Sequence, residues 1–250
     1  MKKIFSTFLF CLFLGSSFNL VAQEAAQEEV VTEPTKNSNS KDRLIIEFMH
    51  NNWAERPDGF EMKWYNRGIN AYVMYDIGLI KEYVSVGFGG GISSSNYYNN
   101  SLTALDTAGN TIFTPIPSEV ATASGDSVSI GDSERNKLST TYFDIPLELR
   151  FRTKKNKMNR SFKAAVGVKA GICLDAHTKY RGDDLAGSGR EVFVKDKALP
   201  NINRYHYGVT ARVGYHLFNI VGYYSLSTLF EADKGPGIHP FSIGISFNGL

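Results

Sequence analysis

The chain has 250 residues, with 27 Lys and Arg against 25 Asp and Glu, and 42% of its residues are hydrophobic. This near balance disfavours a nucleic-acid-binding protein, for which a clear excess of basic residues is typical. Beyond the N-terminal segment, no run of about 18 apolar residues could cross a bilayer as a helix. A soluble domain or a membrane β-barrel therefore remains.

The first 22 residues have the three parts of a secretory signal. Lys2 and Lys3 precede an apolar run over residues 4–14, and small and polar residues lead to Ala22. A retained anchor helix is the alternative, but the apolar run is short for a membrane span. We therefore expect a signal peptide over residues 1–22. One cysteine, Cys173, then remains, so we expect no internal disulfide.

Residues 23–42 differ in composition from the rest of the chain. They are rich in Glu, Gln, Asn, Ser and Thr, and they contain Pro34. Such a segment cannot bury enough apolar surface to offset the entropy lost on ordering. We expect a flexible acidic linker in the periplasm, followed by one domain over residues 43–250.

Alternation of apolar and polar residues, which is typical of β-strands, dominates this domain. It is clearest over residues 141–152, where Phe143, Leu147 and Phe151 share one face and Asp144 and Glu148 share the other. The eight predicted strands are 44–50, 69–78, 83–93, 141–152, 162–175, 205–215, 220–228 and 241–247. The facing of the seventh strand is ambiguous.

The predicted connections alternate between long and short. Long ones cover 51–68, 94–138 and 176–204, with a moderate one at 229–240, and short ones cover 79–82, 153–160 and 216–219. Residues 111–116 suit a short strand or hairpin. Outer-membrane barrels have this pattern. We predict an all-β fold, an eight-stranded antiparallel up-and-down transmembrane β-barrel with long outer loops, short periplasmic turns and both termini in the periplasm.

The polar face of the strands decides the environment of the barrel. A cation facing lipid near the midplane costs roughly 2–4 kcal/mol, so the charges must face the lumen or water. Six cations nearly balance five anions among small residues, which favours a filled lumen. The eleven charges are Arg43, Glu47, Asp76, Asp144, Glu148, Arg150, Arg152, Lys163, Lys169, Asp175 and Arg212. A secreted β-sandwich with solvated charges is the alternative.

We expect eight of these residues to form a structural charge network in the lumen: Glu47, Asp144, Glu148, Arg150, Arg152, Lys163, Lys169 and Arg212. The apolar face then meets lipid, and its aromatic residues near the strand ends suit interfacial girdles. Pro146 cannot donate to a strand ladder, so we predict a local bulge there, with a structural role favoured over partner docking.

Catalytic groups are weakly indicated. His50, His177 and His239 are predicted near the outer mouth together with serines and aspartates, but no Gly-x-Ser-x-Gly or His-Glu-x-x-His motif is present. The glycine run 87–91 lacks the Lys-Ser/Thr ending of a phosphate-binding loop. Asp183 and Asp184 supply too few oxygens for a calcium site. We therefore expect no enzyme, no cofactor and no metal.

Four segments resemble a known family. They are Tyr142–Leu149, which contains Ile145-Pro146-Leu147, the Gly-rich stretch Ala165–Gly171, Tyr224–Leu226, and Ser242–Phe247. Together they resemble the PorT-like outer-membrane β-barrel proteins of Bacteroidetes. The resemblance implies an outer-membrane barrel, and the founding member of the family belongs to a type IX protein-secretion apparatus. The chain departs from the usual terminal Phe, because three residues follow Phe247.

The leading hypothesis is a non-enzymatic structural or scaffold barrel, linked to secretion by the resemblance alone. The expected partners are outer-membrane lipid and lipopolysaccharide, the barrel-assembly machinery during insertion, and secretion-system proteins, with no nucleic acid. A small-solute channel and an outer-leaflet enzyme acting on lipid or peptide are the alternatives. Adhesion through the 94–138 loop is also open, because exposed loops commonly carry binding.

Overall fold

A computed structural model describes residues 43–80, 83–121, 127–130, 135–153, 161–186, 188, 190–197 and 199–248. All of them fall in the second of the two units into which the chain divides, Ser38–Leu250. The predicted signal peptide (1–22) and linker (23–42) lie outside the described residues. Among the described residues, no helix is long and apolar enough to cross a bilayer.

The described chain forms thirteen β-strands: β1 (Arg43–Ala54), β2 (Arg67–Ile80), β3 (Val84–Tyr98), β4 (Ser101–Leu105), β5 (Thr111–Pro115), β6 (Glu119–Ala121), β7 (Ser127–Ser129), β8 (Arg135–Arg152), β9 (Phe162–Asp183), β10 (Glu191–Asp196), β11 (Tyr205–Tyr215), β12 (Phe218–Ser225) and β13 (His239–Asn248).

Eight of these strands close into an antiparallel ring. The order is β1, β2, β3, β8, β9, β11, β12 and β13, and β13 pairs with β1 to complete it. Each ring strand overlaps one of the eight predicted strands, although β12 ends three residues before the end of the predicted 220–228, and the predicted up-and-down barrel is confirmed. Short turns join strands at one end, the turn end, and long connections join them at the other, the loop end.

The ring places apolar residues outside and charges inside. Phe143, Leu147 and Val166 are 42%, 49% and 56% exposed on the outer surface, whereas Glu148 and Lys169 are buried in the lumen. We call the outward apolar residues of the ring the lipid-facing belt. This arrangement excludes the β-sandwich alternative. It also settles the facing of β12, in which Val221 points inward.

The barrel continues past its loop end as a smaller sheet. The pairing of β11 with β9 stops at Tyr205, which lies opposite Ile172. The pairing of β8 with β9 continues beyond this point to Arg135, which lies opposite Arg181. On the edge that β11 leaves open, β10 pairs with β9. We call the paired segments 135–140 and 175–183, together with β10, the sheet extension. Two connections predicted as long loops, 94–138 and 176–204, therefore contain strands, including β5 at the predicted 111–116 hairpin.

Pro146 does not form the predicted bulge. The register of β8 against β9 runs unbroken through Pro146, opposite Lys169. On the other side, the ladder to β3 is interrupted between the pairs Phe88–Leu147 and Gly91–Asp144, but its register does not shift. The strand therefore tolerates the missing N–H by losing ladder pairing opposite Gly89 and Gly90.

A bulge lies elsewhere, between β8 and β9. Thr141 pairs with Asp175 while the adjacent Tyr142 pairs with Cys173, so Leu174 is an extra residue. An extra residue reverses which face the later side chains occupy. The side chain of Asp175 is 46% exposed and lies on the outer surface. Its predicted place among the lumen charges is wrong.

Two inward-facing glycines are needed because backbones approach closely. A Cβ at Gly91 would lie 2.1 Å from the carbonyl oxygen of Ala71, and one at Gly244 would lie 2.1 Å from that of Phe48. Both contacts are with the backbone of a neighbouring strand, which cannot move aside without opening the ladder.

Candidate functional site

The lumen near the turn end is occupied by arginines around one carboxylate. Asp76 of β2 accepts hydrogen bonds from Arg150 and Arg152, which project from alternate positions of β8. Arg43 of β1 also lies against it, with Nε 3.1 Å from Asp76 Oδ2, although this nitrogen is not aligned for a hydrogen bond. Asp76 was placed on the polar face by the sequence but was left out of the predicted network, although it has three cationic partners.

The network continues across the bore through two more carboxylates. Glu148 lies 2.8 Å from Arg150 and 3.0 Å from Arg212, and Arg212 lies 2.7 Å from Glu47. Asn70 donates a further hydrogen bond of 2.8 Å to Glu47. Arg212 stands on β11, which is next to neither β1 nor β8 in the ring. Its ion pairs therefore join strands that are not neighbours in the ring.

Lys163 lies apart from the predicted network. Its ammonium group donates a 2.6 Å hydrogen bond to the backbone carbonyl of His216 in a short turn. Among the described residues, no carboxylate lies within ion-pair distance of it. The turn end is accordingly richer in cations, with Arg43, Arg150, Arg152, Lys163 and Arg212 around a small cavity of about 20 Å³.

A second cluster lies deeper in the lumen, around Asp144. This fully buried carboxylate lies 3.1 Å from the ammonium of Lys169 and 2.6 Å from Nε2 of His206, and it accepts a 3.1 Å hydrogen bond from the hydroxyl of Tyr72. The Lys169 ammonium also lies 4.0 Å from the ring centroid of Tyr223. The cavity above these groups measures about 30 Å³, which is room for one or two waters.

An aromatic cap closes the lumen at the loop end, and the sequence did not predict it. Trp53 at the end of β1 stacks on Phe60 at 5.0 Å and contacts Tyr97 at 5.0 Å and Phe113 at 5.6 Å between ring centroids. We define the cap by its buried residues Trp53, Phe60, Tyr97, Leu138, Leu229, Phe230 and Ile238. Three ring strands and two connections supply these residues, so alternation within one strand could not reveal the cap.

Backbone hydrogen bonds hold the connections over the lumen. The hairpin of β4 and β5 is tied to the 226–238 connection by Thr111 N, which donates to the carbonyl of Lys234 at 2.9 Å. The side-chain amide of Asn201 donates to the carbonyl of Gly109 at 2.9 Å. In the turn of this hairpin, the backbone N–H of Asn110 lowers the pKa of the exposed Asp106 by hydrogen bonding to its carboxylate. These hydrogen bonds join the described connections to one another at the loop end.

The predicted catalytic candidates do not assemble around a serine. His177 Nδ1 lies 2.6 Å from Asp175 Oδ2 on the outer surface of the sheet extension. Ser139 faces His177 across the strands, but its hydroxyl donates to Asn96 Oδ1 at 2.8 Å. His239 Nδ1 lies 3.1 Å from the carbonyl oxygen of Ser225. Among the described residues, no group of His, Cys, Asp and Glu could hold a metal ion.

A larger cavity lies outside the barrel, on the inner face of the sheet extension. It measures about 230 Å³, and its lining mixes polar groups such as Asn136 and Asp196 with apolar ones such as Phe113, Leu138 and Val194. It holds no cluster of charges comparable with those in the lumen.

Comparison with known proteins supplies the family. The segment 51–231, which is 181 of 250 residues, matches the family model described as "Outer membrane protein beta-barrel domain". No curated protein matches the chain. One similar solved structure is Ail, the attachment invasion locus protein of Yersinia pestis, in complex with the heparin analogue sucrose octasulfate. It is 13% identical, with 84% of this chain and 99% of that chain covered and a TM-score of 0.36. The family match covers more than half of the chain. The protein is therefore a member of the outer-membrane β-barrel domain family and is located in the outer membrane.

Proposed function

We propose that this outer-membrane barrel is a closed, non-enzymatic scaffold. The observation that carries the proposal is that the bore is blocked at two separate levels. The ion pairs of Arg212 with Glu47 and Glu148 cross it near the turn end, and the aromatic cap covers it at the loop end. An eight-stranded barrel is only wide enough for its own side chains.

A small-solute channel is the alternative that this observation disfavours. The cavity between the two levels has room for one or two waters only. Opening a path would require breaking buried ion pairs and leaving their charges unpaired in the lumen, which is unfavourable. A solute that crosses the bore would have to displace both the charge network and the cap.

Conductance in planar bilayers tests the scaffold proposal. We expect the purified full chain, shown to be folded by different gel mobility before and after boiling, to give no unitary currents under conditions in which a porin conducts. Well-defined unitary currents from the folded chain would contradict the proposal. Recovery of the protein from the soluble periplasm instead of the outer membrane would contradict its membrane location.

We propose further that the loop end faces the cell exterior and that both termini lie in the periplasm. The long connections support this orientation, because outer-membrane barrels keep their short turns at the periplasmic side. Single cysteines in a Cys173→Ala background test it. A membrane-impermeant maleimide should label Asp106→Cys, in the β4–β5 turn, on intact cells, and should label Leu217→Cys, in the β11–β12 turn, only after lysis. The reverse pattern would refute the orientation.

Cleavage of a signal peptide after Ala22 belongs to the same proposal. Mass spectrometry of the mature protein should find Gln23 at its N-terminus. An intact Met1 in the outer-membrane fraction would refute cleavage.

A role in type IX protein secretion is a separate proposal, and it rests on the resemblance of Tyr142–Leu149 and three other segments to PorT-like proteins. Affinity capture of the cross-linked full chain should recover secretion components, and a deletion strain should export less cargo. Recovery of the barrel-assembly machinery alone, with unaffected export, would leave the scaffold and remove the secretion role.

A further inference from the structure

Three lysines stand side by side in the sheet extension. Lys137 of β8 lies directly opposite Lys179 of β9, and Lys179 lies directly opposite Lys195 of β10. We call these three residues the lysine row. Directly opposed residues of antiparallel strands have Cβ atoms about 4.5–5.5 Å apart, and like charges in these positions destabilise the pairing. The next row outward repeats the pattern, because Arg135 opposes Arg181.

The lysine row lies on the face opposite the cavity of the sheet extension, although Lys137 also borders that cavity. The chain neighbours of each lysine line that cavity, namely Asn136 and Leu138, Thr178 and Tyr180, and Val194 and Asp196. Because side chains alternate along a strand, the lysines lie on the opposite, outer face. That outer face is continuous with the lipid-facing belt of the barrel.

Little on this face neutralises the lysine row. On this face, ion pairs join His177 to Asp175 and Arg181 to Glu191. Within the described part of the chain, no carboxylate lies within ion-pair distance of a lysine of the row. Lys137 donates to Asn96 Oδ1 at 2.5 Å and lies 5.5 Å from the ring centroid of Tyr98. Among the described residues, the repulsion along the row is therefore not relieved by an ion pair.

The height of the row above the membrane follows from strand geometry. A lipid-facing band is about 25 Å tall, which a strand tilted by about 40° with a rise of about 3.4 Å per residue crosses in roughly ten residues. Along β8 such a band runs from Phe151 to Thr141. Lys137 is four residues further, roughly 10 Å beyond the band. This is the level of the sugars and phosphates of an outer-leaflet glycolipid.

An aromatic side chain marks the same level. Trp64 is 85% exposed and contacts Tyr65, which packs at 4.9 Å on Tyr98 beside the lysine row. Trp and Tyr are enriched where a protein crosses the membrane–water interface. The row and this tryptophan therefore lie together where headgroups would surround the protein.

We propose that the lysine row binds the phosphate groups of lipopolysaccharide in the outer leaflet. Two arginines flank it: Arg135, and Arg67, which lies 5.9 Å from the ring centroid of Tyr98. The inference rests on the proposed orientation, because the loop end must face the outer leaflet. A phosphate between two opposed lysines replaces their repulsion with two attractive contacts, and lysine recognises phosphate as a point charge. Ordered lipid around the sheet extension would follow.

Lipid A binding by the folded full chain in detergent micelles tests the proposal. The variant K137Q/K179Q/K195Q removes the lysine row, and R56Q/K63Q/K234Q makes the same change in net charge on the exposed connections at the loop end. Native mass spectrometry with diphosphoryl lipid A should show affinity reduced at least about tenfold for the first variant and nearly unchanged for the second. Dephosphorylated lipid A should bind the unmodified protein as weakly as diphosphoryl lipid A binds the first variant.

Three results would overturn the proposal. They are equal affinity of the row variant and the unmodified protein, an equal loss in the control variant, and equal binding of dephosphorylated lipid A. Equal binding of a soluble sulfated polysaccharide would also overturn it, since the site would then take a free polyanion rather than a lipid. Gel mobility before and after boiling shows whether each variant is folded. If the triple variant does not fold, the single variant K179Q replaces it in the binding measurement.

The experiment separates this inference from the proposed orientation. Binding in micelles does not depend on which way the barrel is inserted. Failure of lipid A binding, with Asp106→Cys labelled on intact cells, removes the lysine-row inference alone. Failure of that labelling removes the orientation, and with it the outer-leaflet ligand, whatever the micelles show.

Discussion

Asp76→Asn tests how much the lumen charge network stabilises the barrel. The substitution keeps the shape of the side chain and removes the charge that Arg43, Arg150 and Arg152 share. The side chains of Asp76 and Arg150 are 4% and 7% exposed, so this pair is buried, whereas Arg152 is 23% exposed and partly solvated. Removing one partner of a buried ion pair costs about 3–5 kcal/mol, and an exposed pair contributes about 0–1 kcal/mol.

We therefore expect Asp76→Asn to lower the free energy of unfolding by about 3–5 kcal/mol, mainly through Arg150 and Arg43. Urea titration of the chain folded into phospholipid vesicles, followed by tryptophan fluorescence, measures the change. Asp58→Asn, in an exposed connection, is the matched control and should stay within about 0.5 kcal/mol. A loss of less than about 1 kcal/mol for Asp76→Asn would refute the reasoning, because water would then be solvating the arginines.

Three further variants test other parts of the fold. Lys163→Met should cost only about 1 kcal/mol in the same titration, because one hydrogen bond to the His216 carbonyl is lost and no carboxylate is left unpaired; a loss equal to that of Asp76→Asn would contradict this. Gly91→Val should fail to fold, seen as equal gel mobility before and after boiling, because its Cβ meets the neighbouring backbone. Trp53→Ala should loosen the aromatic cap. Trypsin should then cleave the loop-end connections faster, while the gel mobility of the barrel still changes on boiling. Unchanged cleavage would contradict a packed cap.

The architecture was predictable because it follows from a local pattern. Alternation over residues 141–152 fixes which side chains of β8 face lipid, and the cost of a charge in lipid then orients the whole barrel. Glu148, Arg150 and Arg212 lie in the lumen as that argument requires. The long and short connections, read from the same pattern, give the order of the strands around the ring.

The features that the sequence could not predict depend on contacts between distant segments. The bulge at Leu174 reverses the face on which Asp175 lies. The alternation of apolar and polar residues in the sequence does not reveal this bulge. The aromatic cap joins Trp53 to Phe230, which lies far along the chain, so no single strand contains its pattern. Pro146 suggested a bulge. Instead, the ladder to β3 loses its pairs at Gly89 and Gly90, and the register does not shift.

One strand, β8, shows how the environment decides where charges can stand. Below the edge of the lipid-facing belt, Glu148 and Arg150 point inward and each has a partner of opposite charge, because an unpaired charge in a water-poor lumen is costly. Above that edge, Lys137 points outward and faces Lys179, and no carboxylate of the described residues lies within ion-pair distance of either. Such repulsion is tolerated only where water or an external anion screens the two charges. The change from paired to unpaired charge along one strand therefore marks the level at which the barrel leaves the hydrocarbon, and it places the lysine row at the headgroups.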